Sequence, residues 1–156
     1  LDEPKKMESL KYWMDIWEKK GAKIDGINAE LNLTFSEDAA VQKANKEKFV
    51  ALLKSLKETG KMIRLSNFDI KYQNAEGVPV TATAITAEQR QLLANYNAEL
   101  LKEYMNTIPN EKQAGICKSN MVDSNDPVGL WTTNSKKDWV RTATYKAFCD
   151  VLSGKE

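Results

Sequence analysis

The sequence predicts an α/β fold with about three parallel strands and flanking helices, and three observations predict it. Apolar residues recur at helical spacing in four segments, short runs of alternating apolar and polar residues separate them, and the order is helix, then strand and helix three times over. Consecutive αβ units favour parallel strands joined by right-handed crossovers, in an open sheet or a barrel segment. Three strands cannot close a barrel: an eight-stranded one takes roughly 250 residues, and this chain has 156. Residues 1 to 156 therefore read as one segment whose sheet edges need an upstream segment or another copy of the chain.

Residues 6 to 20 place Met7, Leu10, Trp13, Met14 and Trp17 at helical spacing, and Gly21 is a stop signal. Residues 22 to 35 alternate Ile24, Ile27, Leu31 and Leu33 around the turn residues Asp25 and Gly26, which predicts a strand entering a polar loop. Ser36 is the expected cap of a second helix, with acidic residues in its first turn, an apolar stripe through Phe49, Leu52, Leu53 and Leu56, and Gly60 at its end. Met62 to Tyr72 alternates as a second strand, and QNAEGVPVTATA is a loop. Thr86 caps a long helix marked by Leu92, Leu93, Tyr96, Leu100, Leu101 and Tyr104, ending near Ile108 and Pro109. A third strand is expected from Ala114 to Val122, then an acidic loop, the irregular VGLWTTNSKKD, and a closing helix from Trp139 to Leu152.

Twenty-three Lys and Arg against twenty-two Asp and Glu leave a net charge of +1, so nothing gathers phosphates and no nucleic-acid partner is expected. Lysine pairs such as Lys19-Lys20 stand beside acidic residues, as on solvated helix faces. Histidine is absent, which removes Ser-His and Cys-His hydrolase designs and the commonest zinc ligand. No apolar run approaches the ~20 residues of a membrane span, and the opening LDEPKKMESL is charged where a signal peptide is apolar. A chain starting without Met and in mid-pattern suggests a mature or excised piece. Cys117 and Cys149 fit no metal spacing and read more readily as small buried thiols than as a disulfide, while Trp13, Trp17 and Trp139 read as core. No cofactor is implied.

KKGAKIDGINAELNLTFS resembles the sixth strand of family-ten glycoside hydrolases, the xylanase-type (β/α)₈ barrels, in which a helix ending in Gly leads into Ile-Asp-Gly-Ile. GKMIRLSNFDIKY resembles their seventh strand and QAGICKSNMVDSNDPVGLW their eighth, in the same order, so the resemblance runs from about Leu10 to Leu152. It implies the C-terminal part of a TIM barrel. The variety resembles that of glycan-degrading gut Bacteroidetes, some of whose barrels carry carbohydrate-binding inserts. Members of the family hydrolyse β-1,4-xylan with retention, one glutamate serving as acid/base and one as nucleophile.

The resemblance also marks departures. Where the family has Thr-Glu-Leu-Asp, this chain has Ser66-Asn67-Phe68-Asp69, so a neutral amide occupies the nucleophile position and cannot form a glycosyl ester. Family Gly-x-Gln-x-His becomes Asn28-Ala29-Glu30-Leu31-Asn32, and Ser119 stands where a tryptophan usually lies under the sugar. Asn67 reads either as a hydroxyl-binding amide or as a polar relic at the barrel mouth. Glu30 and Asn32 share one strand face and reach the same mouth; Glu30 reads as a hydroxyl partner or, less readily, as a replacement carboxylate. Asp123, with Asn125 and Asp126, reads as a sugar contact or a turn cap, and Trp131 as a sugar platform or a loop anchor. Asp69 reads as local structure.

The expectation is a glycan-handling domain of xylanase ancestry, non-catalytic, that binds xylan-like plant polysaccharide through Glu30, Asn32, Asn67 and Asp123 with Trp131 nearby. Two alternatives stand beside it: an active retaining endo-1,4-β-xylanase, and a structural scaffold module. Expected partners are polysaccharide or oligosaccharide and the N-terminal half of the barrel or another copy. The resemblance implies a periplasmic, cell-surface or secreted location.

Overall fold

The structure, a computed structural model, describes residues 4 to 154; Leu1 to Glu3 of the charged opening stretch lie outside the described residues. Helix α1 (Pro4–Lys19) leads into strands β1 (Gly26–Glu30) and β2 (Leu33–Ser36), followed by helix α2 (Ala39–Lys57). Next come β3 (Met62–Ser66), β4 (Ile70–Gln73), the long helix α3 (Ala87–Thr107) and β5 (Gln113–Ile116). An antiparallel hairpin of β6 (Trp131–Thr133) and β7 (Trp139–Arg141) precedes the closing helix α4 (Ala143–Leu152). Strands β1, β3 and β5 form one parallel sheet in that order, with Gly26 through Glu30 in register with Met62 through Ser66. The α/β architecture with parallel strands and flanking helices is the one the sequence predicts.

Both strands expected to be long are in fact broken in two. Asn67 ends β3 with φ of 54°, a left-handed conformation that asparagine tolerates better than most residues. Leu31 leaves β1 at the same level: its N–H donates to the Ser66 carbonyl at 3.0 Å, and its own carbonyl accepts the Asn67 amide at 2.7 Å. The two chains turn out of the sheet together and re-pair as β2 and β4, with Leu33 opposite Ile70 and Ser36 opposite Gln73. The third strand is shorter than Ala114 to Val122. Its register slips opposite Ile63 and Arg64, where Gly115 takes φ of 103°.

Two helix starts also differ from expectation. Ser36 is buried in β2, and Asp38 is the cap of α2, its carboxylate accepting from the Ala40 and Val41 N–H groups. Trp139 belongs to β7, so Thr142 caps the last helix. Thr86 caps α3 as expected, in a reciprocal box with Gln89.

Strands β1 and β3 alternate cleanly, with Ile27, Ala29, Ile63 and Leu65 buried in the main core. That core also holds Leu53 and Leu56 of α2 and Leu93, Leu100 and Leu101 of α3, each such side chain stabilising the fold by roughly 1.5–3 kcal/mol. Asn28, Glu30 and Arg64 on the opposite face are exposed and Ser66 is half-buried. Trp13, Trp17 and Trp139, expected in the core, are exposed instead. On α1 the buried positions are Met7 and Met14; Trp13 and Trp17 lie on the flank and stack on each other at 6.2 Å. Cys149 is likewise exposed, because Phe148 and Val151 take the buried side of α4, and both cysteines are free thiols.

Candidate functional site

Ladder geometry brings three of the five sequence-predicted site residues together. Glu30 ends β1 opposite Ser66, the last residue of β3; Asn67 follows Ser66 directly, and Asn32 follows Glu30 after Leu31. All three line one cavity of about 600 Å³, together with Leu31, Leu33, Thr34, Asn45, Lys48, Phe49, Leu52, Tyr96 and Lys6. Phe49, Leu52 and Tyr96 are buried and supply an apolar floor. A concave site with an apolar floor and a few convergent polar groups is the usual form of a small-ligand site.

Polar capacity is unevenly distributed around it. Asn67 spends one amide N–H on Leu31, and Asn45 spends one on the Thr34 carbonyl at 3.1 Å, so their side-chain carbonyl oxygens remain available as acceptors. Exposed Asn32 and Glu30 have no side-chain hydrogen bond among the described residues, which leaves a full amide and a carboxylate for hydroxyl groups. No cluster of three metal-binding side chains occurs among the described residues.

Asp123 and Trp131 lie elsewhere. The Asp123 side chain is only 4% exposed, with Oδ2 2.8 Å from the Arg90 guanidinium, while Oδ1 accepts the Gly129 N–H at 2.8 Å. The Arg90 contact has ion-pair distance without hydrogen-bond alignment, since Oδ2 has no hydrogen-bond partner. Close packing fixes this corner: a Cβ on Gly129 would fall 2.2 Å from the Asp123 nitrogen. Trp131 is half-buried against Tyr145, ring centroids 5.6 Å apart, with the Arg141 guanidinium 5.4 Å from the Trp131 ring centre. Its ring anchors the hairpin onto α4.

Sequence reasoning missed two networks that hold this mouth in shape. The Lys118 ammonium is buried 3.0 Å from Asp69 Oδ1 and donates to the Phe68 carbonyl at 2.8 Å, while Asp69 Oδ2 accepts from the Asn120 backbone and amide. Burial pushes the Lys118 pKa down, and the Asp69 charge opposes that shift. In the second network Glu37 accepts the Tyr72 hydroxyl at 2.6 Å and the Gln89 amide at 2.9 Å, tying the end of β2 to β4 and α3. These two hydrogen bonds, Tyr72's first, hold the Glu37 carboxyl below its ordinary range; burial pushes the Tyr72 hydroxyl up. A lone Lys in the apolar run ICKSNM was the one available signal for the first network; nothing local signals the second.

Parallel strand–helix units whose strands end on a shared polar mouth define a portion of a (β/α)₈-type barrel, and the chain has the fold of the C-terminal portion of xylanase barrels of family ten. A point mutant of xylanase 10C from Cellvibrio japonicus, in complex with xylopentaose, matches with a TM-score of 0.67 and 12% identity over 97% of this chain and 32% of that one. The catalytic core of a xylanase A matches at 0.62 and 14% identity, over 97% of this chain and 46% of that one. A thermostable mutant of the xylanase Xyn10A from Cellvibrio japonicus matches at 0.55 and 17% identity, over 98% and 47%. The chain thus spans between a third and a half of these proteins, and at such identities the likeness is one of fold. No protein-family model and no curated protein matches the chain.

Proposed function

We propose that this chain is a glycan-handling segment of xylanase ancestry that binds xylan-like oligosaccharide without cleaving it. The observation that carries the reading is the cavity at the strand ends, where Glu30, Asn32 and Asn67 converge above the floor of Phe49, Leu52 and Tyr96. Such a site offers hydroxyl partners on one side and an apolar face for a pyranose ring on the other. The amide at Asn67, which stands at the nucleophile position of the resembled family, is hydrogen-bonded to a backbone carbonyl and is poorly suited to nucleophilic attack. Asp123 and Trp131, read at first as sugar contacts, act in this proposal as anchors of the neighbouring loop and hairpin.

Strands β1 and β5 are the outer strands of the three-stranded sheet, and we assign their pairing to the N-terminal half of a barrel or to another copy of the chain. On the sequence resemblance alone, we propose a periplasmic, cell-surface or secreted location in a polysaccharide-utilisation setting of Bacteroidetes type. Calorimetry with xylo-oligosaccharides tests the core of the proposal. Binding is expected in the ~mM range given by a few exposed hydrogen bonds, weakened severalfold by Asn32→Ala, since the Asn32 side chain makes no hydrogen bond among the described residues. No interaction with any plant oligosaccharide would leave the scaffold reading.

A further inference from the structure

The hairpin of β6 and β7 turns one face to solvent, and its register fixes which side chains share that face. Trp131 stands opposite Arg141, and Thr133 opposite Trp139. Strand alternation therefore puts all four on one face and leaves Thr132 and Val140, both half-buried, on the other. On the outer face Trp139 is 60% exposed, and Thr133 and Arg141 are exposed as well. Directly opposed side chains on such a ladder lie about 4.5–5.5 Å apart at Cβ, which sets the Thr133 hydroxyl beside the Trp139 indole.

Two rings position Arg141. Its guanidinium lies 4.6 Å from the Tyr145 ring centre and 5.4 Å from that of Trp131, and it forms no ion pair and no hydrogen bond among the described residues. A guanidinium stacked on rings keeps the N–H donors in its own plane unspent, as a fork that matches a carboxylate. Residues 131 to 145 carry Lys136, Lys137 and Arg141 against one carboxylate, Asp138, and Asp138 Oδ2 lies 3.3 Å from the Asn134 amide within the turn. The face is cationic, with a positioned fork that lacks a counter-charge. A fitting ligand has a planar pair of oxygens for the fork and, one two-residue stride of roughly 6–7 Å along the strand, a ring face for the indole. A neutral sugar leaves the fork uncompensated, and an inorganic anion leaves the indole bare.

We propose that this hairpin face is a second ligand site, separate from the strand-end cavity, that takes a polyuronate, a chain of pyranose units each bearing a carboxylate. One carboxylate meets the Arg141 fork, an adjoining ring covers Trp139, and a ring hydroxyl meets Thr133. None of these residues lines the strand-end cavity, so the inference stands or falls independently of binding there.

The probe is a trimer of galacturonic acid, compared with its methyl ester, which keeps the rings and removes the charges. Both are titrated into the full chain by calorimetry at low salt, and the acid again in about 0.5 M sodium chloride, where the screening length falls to a few ångströms. The acid is expected to bind about three- to tenfold more tightly than the ester, the size of one or two partly exposed charge-assisted contacts, and the advantage should shrink at high salt. Arg141→Gln should abolish the advantage, and Trp139→Ala should weaken acid and ester alike. Because Arg141 also ties β7 to α4, binding is read in the unmutated chain as well. In NMR spectra the indole N–H signal of Trp139 should shift on adding the acid, while those of Trp13 and Trp17 stay. Equal binding of acid and ester, an acid advantage that survives Arg141→Gln, or an unmoved Trp139 signal overturns the inference. So does movement of the Asn32 and Asn67 amide signals in place of that of Trp139, which would put the acid in the strand-end cavity. Inorganic phosphate that displaces the acid at equal concentration overturns it too, since the face would then hold any anion.

Discussion

Asn67 shows how one side chain settles a local conformation and a chemistry together. Its φ of 54° lies in the left-handed region, where Ala incurs roughly 1–2 kcal/mol that Gly does not. Its amide also closes a 2.7 Å hydrogen bond to Leu31, the contact that turns β1 and β3 out of the sheet in step; such a bond contributes about 1 kcal/mol net. Asn67→Gly should therefore lower unfolding free energy by about 1 kcal/mol, and Asn67→Ala by about 2–3 kcal/mol once the strained conformation is added. Urea melts of the two variants decide it: an alanine variant no worse than the glycine variant would remove the conformational role. The same geometry makes Asn67→Ala a poor probe of sugar contact, because a loss of binding would follow from movement of the turn as easily as from loss of a hydroxyl partner.

Between the elements, Glu37 joins the end of β2 to β4 through Tyr72 and to the capped start of α3 through Gln89. A carboxyl whose folded pKa is lowered contributes stability that is full above its unfolded value, 4.5, and is lost as pH falls through the lowered folded value. Wild-type protein should thus exceed Glu37→Gln in urea midpoint at pH 7, and the gap should shrink as pH falls below 4.5. A gap that stays constant over that fall would refute the linkage. This tie joins residues far apart in sequence, which explains why nothing near Glu37 revealed it. Helices were legible because their apolar period runs for several turns, and Thr86 announced its own capping box with Gln89. The break after β1 was not legible, because Leu31 continues the alternation of its run, whereas the break after β3 left a mark: the apolar positions shift from Ile63 and Leu65 to Phe68, Ile70 and Tyr72 across Ser66 and Asn67, and the bond between Leu31 and Asn67 shows that both chains leave the sheet. Trp13 and Trp17 misled for a related reason: helical spacing gives a stripe but not its width, and Met7 and Met14 take its centre. Of the site, Glu30, Asn32 and Asn67 were legible as residues near strand ends, whereas Lys48 lies on a helix and carried no mark distinguishing it from its paired neighbours.

At the scale of the whole molecule the decisive quantity is the number of carboxylates that the fold delivers to the mouth. Retaining glycoside hydrolysis takes two carboxyl groups about 5–5.5 Å apart, and inverting hydrolysis takes two at about 6.5–9.5 Å. Among the described residues one carboxylate, Glu30, lines the cavity. Asp123 is held by Arg90 and Gly129, Asp69 by Lys118 and Asn120, and Glu37 by Tyr72 and Gln89, so each is committed to shaping the mouth. A lone carboxylate can accept hydrogen bonds from sugar hydroxyls but cannot supply both proton transfer and nucleophilic displacement. We therefore expect no reducing sugar from xylan or from aryl xylosides above a protein-free blank, and Glu30→Gln should leave that baseline unchanged while weakening oligosaccharide binding. Sugar release by the wild-type chain that disappears in Glu30→Gln would show a displaced carboxylate at work, and the non-catalytic reading would then give way to a hydrolase that has moved its nucleophile from the β3 end to the β1 end of the same mouth.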